Sequence, residues 1–197
     1  MEGVILAIDF GSKTSGFTAA AWLDLEGTVH LEQAKKGANA DQWLRDLTAR
    51  VQPRLVAIDA PLSLPGVYFG TPECLSFHYR HCDQKVSAMS PLFLGGLTAR
   101  AMEFKSWILA ELAADVIEVY PKLIAQEIAL DKRYKKEASY LKEALAQLVD
   151  LLPGRVSPHE VDNWHRFDAL LALRAASKYA AGAAEKIGLE TEGIIYF

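Results

Sequence analysis

The chain has 197 residues, 51% hydrophobic and 23% charged, with a formal net charge of -4 at pH 7. That much apolar material supports a substantial buried core and excludes disorder, and the acidic balance lacks the basic footprint of a strong nonspecific DNA binder. The opening stretch MEGVILAID carries no basic leader or cleavage signature, and no apolar run reaches the roughly 18 residues of a membrane span. A cytoplasmic protein without membrane contact is therefore expected. Two cysteines exclude a disulfide scaffold. With His78 and His81, Cys74 and Cys82 spell C-x3-H-x2-H-C, which can in principle ligate zinc; the plainer reading is a partly buried polar loop.

In chain order, VILAIDF (residues 4 to 10) is a continuous apolar run with β-branched residues, the pattern of a central strand covered on both faces. GSKTSG then supplies a turn, GFTAAAWLD and TVHLEQA read as two further strands, and Leu25, Glu26 and Gly27 turn the chain between them. The chain thus opens as a three-stranded antiparallel meander. Residues 41 to 51 place Trp43, Leu44, Leu47 and Val51 at helical spacing, and Pro53 marks the end. RLVAIDAPL repeats the first pattern, an apolar run ending in Asp59, so a right-handed parallel crossover is expected.

Residues 61 to 96 hold prolines at 61, 65, 72 and 91 and show no lasting period. They read as a long loop insertion that shapes a substrate entrance. GLTARAMEFKSWILAELA is an amphipathic helix, DVIEVYP a strand closed by Pro121, and LIAQEIAL a short helix. The cluster Lys132, Arg133, Lys135 and Lys136 reads as the solvated start of a helix with leucines at 141, 145, 148 and 152, with a phosphate contact as the alternative. In SPHE, Ser157 can cap, Pro158 start and Glu160 reciprocally cap a helix running to Gly182 with a break near Asn163. The terminal GIIYF is a last extended segment. No repeat or linker divides the chain, so a single domain over 1–197 is expected, with its insertion at about 61–96. The fold class is α/β: a mixed five-stranded sheet, three antiparallel strands and then parallel ones, flanked by helices.

Asp9 and Asp59 each close an apolar strand, so neighbouring strands would bring the two carboxylates to one sheet edge. Asp168 has Trp164, His165, Leu171 and Ala172 at helical spacing, which puts it on a mainly apolar face turned to the sheet. Three converging carboxylates repel and tend to take up protons unless cations neutralise them. Hard oxygen donors suit Mg²⁺ or Mn²⁺, and phosphoester hydrolysis is a natural use of such a site. Plainer roles stand beside this: Asp9 capping its turn, Asp59 ordering the turn before Pro61, Asp168 paired with Arg166 or Arg174. Glu118 is a fourth catalytic candidate, or a charge on the solvent face of its strand. His165 can relay protons or orient water, or be structural. Arg80, fixed by Asp83, can hold a phosphate or form a loop ion pair. Lys13, in the turn after Asp9, joins Arg80 and His165 as a substrate-binding candidate.

The element order, with AIDFGSKTSG, VAIDAPLSLP, YRHCD, SPLFLGGLTARAM, VIEVYP and HRFDALLALRAA, resembles the ribonuclease H-like fold. More specifically, the chain is similar to the domain-of-unknown-function family 429, described as predicted nucleases. The resemblance implies a metal-dependent nuclease with Asp9, Asp59 and Asp168 as ligands of Mg²⁺ or Mn²⁺, Glu118 matching the family's E-V-Y-P-like strand motif, and nucleic acid, DNA or RNA, as partner. The stretch DFGSKTSG also resembles the phosphate-binding hairpin of sugar kinases and actin-like ATPases, which need a second lobe. A noncatalytic binding module of the same fold is the third reading, favoured where the three carboxylates lie too far apart to share an ion.

Overall fold

The structure is a computed structural model, and residues 3–197 are described; the first two residues of the opening stretch MEGVILAID lie outside the described residues. The chain opens with β1 (Ile5–Asp9), β2 (Ala19–Leu23) and β3 (Thr28–Gln33) as the expected antiparallel meander. The turn between β1 and β2 depends on close backbone approach. A Cβ on Gly11 would meet the Phe17 and Thr18 backbone at 2.8–2.9 Å, and Gly16, at φ +78, lies equally close to Lys36. Helix α1 (Ala40–Val51) starts at Asn39, whose side chain accepts from the Asp41 and Gln42 N–H groups, and ends at Gln52 in the left-handed conformation ahead of Pro53. It leads into β4 (Leu55–Asp59), which pairs parallel with β1.

Residues 61 to 96 are not one loop. They contain a 3-10 turn (Gly66–Phe69), helix α2 (His81–Val86) and helix α3 (Pro91–Leu94). Each piece is shorter than two helical turns, too short for an apolar period to show in sequence. Helix α4 (Gly96–Glu111), strand β5 (Asp115–Val119) and helix α5 (Pro121–Glu127) follow, with Pro121 opening α5 rather than closing the strand. Helix α6 (Leu141–Leu148) carries Leu141, Leu145 and Leu148 of the expected stripe, and Leu152 lies beyond its end in extended backbone. The basic cluster before it is no helix start but a series of turns, and Lys135 takes a left-handed backbone, φ 62.

After the two-residue strand β6 (Arg155–Val156), the SPHE segment forms only a 3-10 turn, and the Ser157 side chain makes no capping hydrogen bond. Asn163 caps instead: its Oδ1 accepts from the His165 and Arg166 N–H groups at the start of α7 (Trp164–Ala180). Strands β7 (Lys186–Leu189) and β8 (Gly193–Tyr196) form a terminal hairpin whose second strand pairs parallel with β5.

The result is an α/β fold with a mixed sheet flanked by helices, and the sheet has eight strands, not five, in the order β6-β3-β2-β1-β4-β5-β8-β7. The expected five form its centre. The additions are β6, only two residues long, and the hairpin, whose second strand is the extended GIIYF segment and whose four-residue first strand includes Gly188. Strand periodicity assigns the two cores. Ile5, Ala7, Leu55, Ala57, Ile117 and Val119 face α7, while Leu6, Ile8, Val56 and Ile58 face α1 and α4. Residues Phe167 through Leu173 are all buried, since α7 lies between the sheet and α5 and α6. A helix apolar nearly all round belongs in such a place.

Candidate active site

The site follows from strand parity. Asp9 and Asp59 are the last residues of adjacent parallel strands and stand opposite each other in register. Both share the parity of Ala7 and Ala57, so both carboxylates emerge on the α7 side of the sheet. Helix α7 brings His165 and Asp168 to the same edge, one turn apart. His165 Nδ1 lies 2.8 Å from Asp9 Oδ2; with an ionised carboxylate as acceptor, Nδ1–H donates. The exposed Phe17 ring, delivered by the glycine turn, stacks on the His165 ring at 4.6 Å between centroids.

Asp168 is 1% exposed, and a carboxylate so deep in an apolar helix needs partners. It has two. Tyr134 donates its hydroxyl to Oδ1, and the Lys135 ammonium pairs with Oδ2. Burial, opposed by Lys135 and aided by Asp9, pushes the Asp168 carboxyl up to about 6. Burial and then the neighbouring Asp9 and Asp168 hold Asp59 well above the usual carboxylate range. The hydrogen bond to Asp9 raises His165, against partial burial. Sequence reasoning offers Lys135 only as one member of a basic cluster and does not single out Tyr134; the structure brings both to Asp168. The signal available is a Tyr-Lys pair just upstream of an apolar helical stripe.

Glu118 lines the same cavity as Asp9 and Asp59, with Arg80 and Asp83, but its carboxylate bonds to neither aspartate. Its register partner is Ile58, not Asp59, and one residue of offset sends its side chain to the opposite face of the sheet. There its oxygens accept from Arg80 Nη1 at 2.7 Å, Arg80 Nη2 at 2.6 Å and the Leu62 N–H at 2.9 Å. Arg80 is 0% exposed. Its remaining N–H donors go to both oxygens of Asp83 and to Ser63. The expectation of Arg80 as a phosphate ligand is therefore corrected: none of its five donors is left for one. Glu118 likewise becomes a brace rather than a catalytic carboxylate. The Asp83 partnership expected for Arg80 is present, inside this buried group.

Lys13 points away as well, 3.8 Å from Asp41, a carboxylate already held by Arg100. Cys74 and Cys82 are buried free thiols, and burial pushes the Cys82 thiol up to about 12. Among the described residues, no three His, Cys, Asp or Glu side chains are gathered closely enough to hold a metal ion. This covers the C-x3-H-x2-H-C set, and also the carboxylate triad as it stands with Asp168 drawn to Lys135.

Asp9, Asp59 and Lys135 line one cavity of about 370 Å³, together with Tyr120 and, from the 61–96 segment, Met89 and Leu94. No side-chain hydrogen bond or ion pair involves Asp59 among the described residues, and Asp9 has only His165. These two carboxylates fit a hard divalent cation, because Mg²⁺ is commonly held by one or two carboxylates with waters and substrate phosphate oxygens completing its shell.

No protein-family model and no curated protein matches the chain. Among solved structures it is similar to Thermus thermophilus RuvC in complex with Holliday junction substrate (17% identity, TM-score 0.46) and to a second Thermus thermophilus RuvC structure (18%, 0.45). It is also similar to the Fowlpox virus resolvase complexed with Holliday junction DNA (12%, 0.43). Each match covers 91% of this chain and 97% of the other. At these TM-scores the likeness says nothing about the site or its chemistry.

Proposed function

We propose that this chain is a metal-dependent nuclease of ribonuclease H-like fold, belonging with the domain-of-unknown-function family 429. The observation that carries the reading is the in-register pair Asp9 and Asp59 at one sheet edge, lining one cavity with Lys135, with His165 hydrogen-bonded to Asp9. The strand order β3-β2-β1-β4-β5, antiparallel and then parallel, agrees with that fold.

Asp9 and Asp59 would hold Mg²⁺ or Mn²⁺, which when bound supplies charge stabilisation and activates water for attack on phosphorus. His165 holds Asp9 through Nδ1–H, and this leaves Nε2 as the atom that takes up or returns a proton. In hydrolysis a P–O bond to the water oxygen forms and a P–O bond to the leaving oxygen breaks; the products are a phosphate monoester and a hydroxyl. Phe17, exposed and stacked on His165, offers a nucleobase a face beside Asp9.

The polar turn after β1 offers less to a nucleotide phosphate. Gly11 N–H donates to Thr18 Oγ1, Ser15 Oγ donates to the Ser12 carbonyl and Lys13 faces Asp41.

The test is cleavage of labelled single-stranded, duplex and four-way-junction DNA, and of RNA, with Mg²⁺ or Mn²⁺. Wild type should cut at least one of these only with metal, and Asp9→Asn should lose cleavage while its circular dichroism is unchanged. Undiminished turnover by Asp9→Asn would overturn the assignment.

A further inference from the structure

Lys135 reaches the site by an unusual local backbone. Its φ of 62 lies in the left-handed region that a non-glycine residue seldom adopts, and such conformations persist where surrounding structure enforces them. That structure is present. Arg133 is pinned to Asp131 and Glu143 and lies over the Tyr140 ring at 4.1 Å, and the Asp131 N–H donates to Tyr140 Oη. Tyr134, the residue before Lys135, is packed edge-on against Trp164 and Phe167 and donates to Asp168. The turn is thus held from both sides, and it presents one ammonium group to the acidic edge.

We infer that Lys135 is the second positive centre of this site, so that the site takes one divalent cation, held by Asp9 and Asp59, rather than two. The inference rests on the metal-dependent reading above and adds the number of ions and a substrate contact. Both oxygens of Asp168 are engaged, one by Tyr134 and one by Lys135, whereas Asp59 has no side-chain partner among the described residues. A second divalent ion would have to displace Lys135 from Asp168 or crowd in beside it. Lys135 lines the same cavity as Asp9 and Asp59, and its side chain is still 52% exposed. It can therefore touch a phosphate oxygen of a bound strand while remaining paired to Asp168, the role a second metal ion has in two-metal sites.

The experiment counts Mn²⁺ bound per chain on the metal-stripped full chain, by the loss of the free-ion electron paramagnetic resonance signal. Ions that still bind to the Asp9→Asn, Asp59→Asn double variant are subtracted as background. Wild type should bind one ion. Lys135→Met, which keeps the stem and removes the charge, should bind two, and Lys135→Arg should return to one; Lys135→Gln serves where the methionine variant does not fold. Metal-dependent cleavage should fall in Lys135→Met and recover in part in Lys135→Arg, which a merely structural lysine would not require. Two site ions in wild type, or one in the neutral variants, with metal-dependent cleavage intact, overturn the role of Lys135 alone. No site ion and no cleavage in wild type overturn the nuclease reading and this inference together.

Discussion

Arg80→Met removes the guanidinium from the buried group that braces the 61–96 segment against β5. Five side-chain hydrogen bonds, at 2.6–3.0 Å, disappear with it, and Asp83 and Glu118 are left without their counter-ion. Methionine fills most of the stem, so the loss is electrostatic rather than a cavity. Breaking a buried ion pair on one side costs about 3–5 kcal/mol. The Leu62 N–H still serves Glu118 and the Arg80 backbone N–H still serves Asp83, which favours the lower half of that range. With a urea dependence of about 2–3 kcal/mol per molar, the unfolding midpoint should drop by about 1–2 M. Burial already raises the Glu118 carboxyl, with Arg80 opposing it, so without Arg80 that carboxyl rises further. Its ionised form then destabilises the variant at pH 7, and the deficit should shrink as the pH falls through the raised pKa. Glu118→Gln, which keeps an acceptor for Arg80, should cost only about 1–3 kcal/mol. A midpoint shift for Arg80→Met below about 0.5 M at pH 7, or a deficit that grows on acidification, would refute the bracing role.

Other predictions concern the site itself. Asp59 and Asp168 both have carboxyls raised above their unfolded values, so their contribution to stability is full below about pH 4 and is lost as the pH rises through about 6 and beyond. The melting temperature of metal-free protein should therefore decline from pH 5 to pH 8, and Mn²⁺ should raise it more at pH 8 than at pH 5; an equal Mn²⁺ effect at both would contradict the raised pKa values. Asn163→Ala, which removes the cap of α7, should cost about 1 kcal/mol in urea unfolding and should slow cleavage by loosening His165, two residues away. Cleavage that tracks only the fraction folded would leave Asn163 a stability role alone.

Much of this site is legible in the amino-acid sequence. Asp9 and Asp59 end two similar apolar runs, and parallel pairing of adjacent strands places such ends side by side. Asp168 stands out as a charge on an apolar helical stripe. The Arg80 group does not, because Arg80 and Glu118 are 38 residues apart and their meeting depends on which face of β5 the glutamate takes. That face is set by the register of Glu118 against Ile58, a property of pairing rather than of local pattern. Lys135 is legible only as one of a basic cluster, since nothing local separates it from Lys132, Arg133 and Lys136 as the cation that turns to Asp168. Of the terminal hairpin only the second strand, GIIYF, is legible; the first leaves little trace because it is four residues long with Gly188 among them, and Glu192 looks like surface. In the fold Glu192 is buried and accepts from the Gly66 and His81 N–H groups, tying the hairpin to the 61–96 segment.

The central claim is that Asp9 and Asp59 form a cation site. Its most direct test is a calorimetric titration of Mn²⁺ into wild type and the Asp9→Asn, Asp59→Asn double variant, with an oligonucleotide present. Saturable binding by wild type that vanishes in the variant is the predicted result. Equal binding by both, or none by wild type, would contradict it.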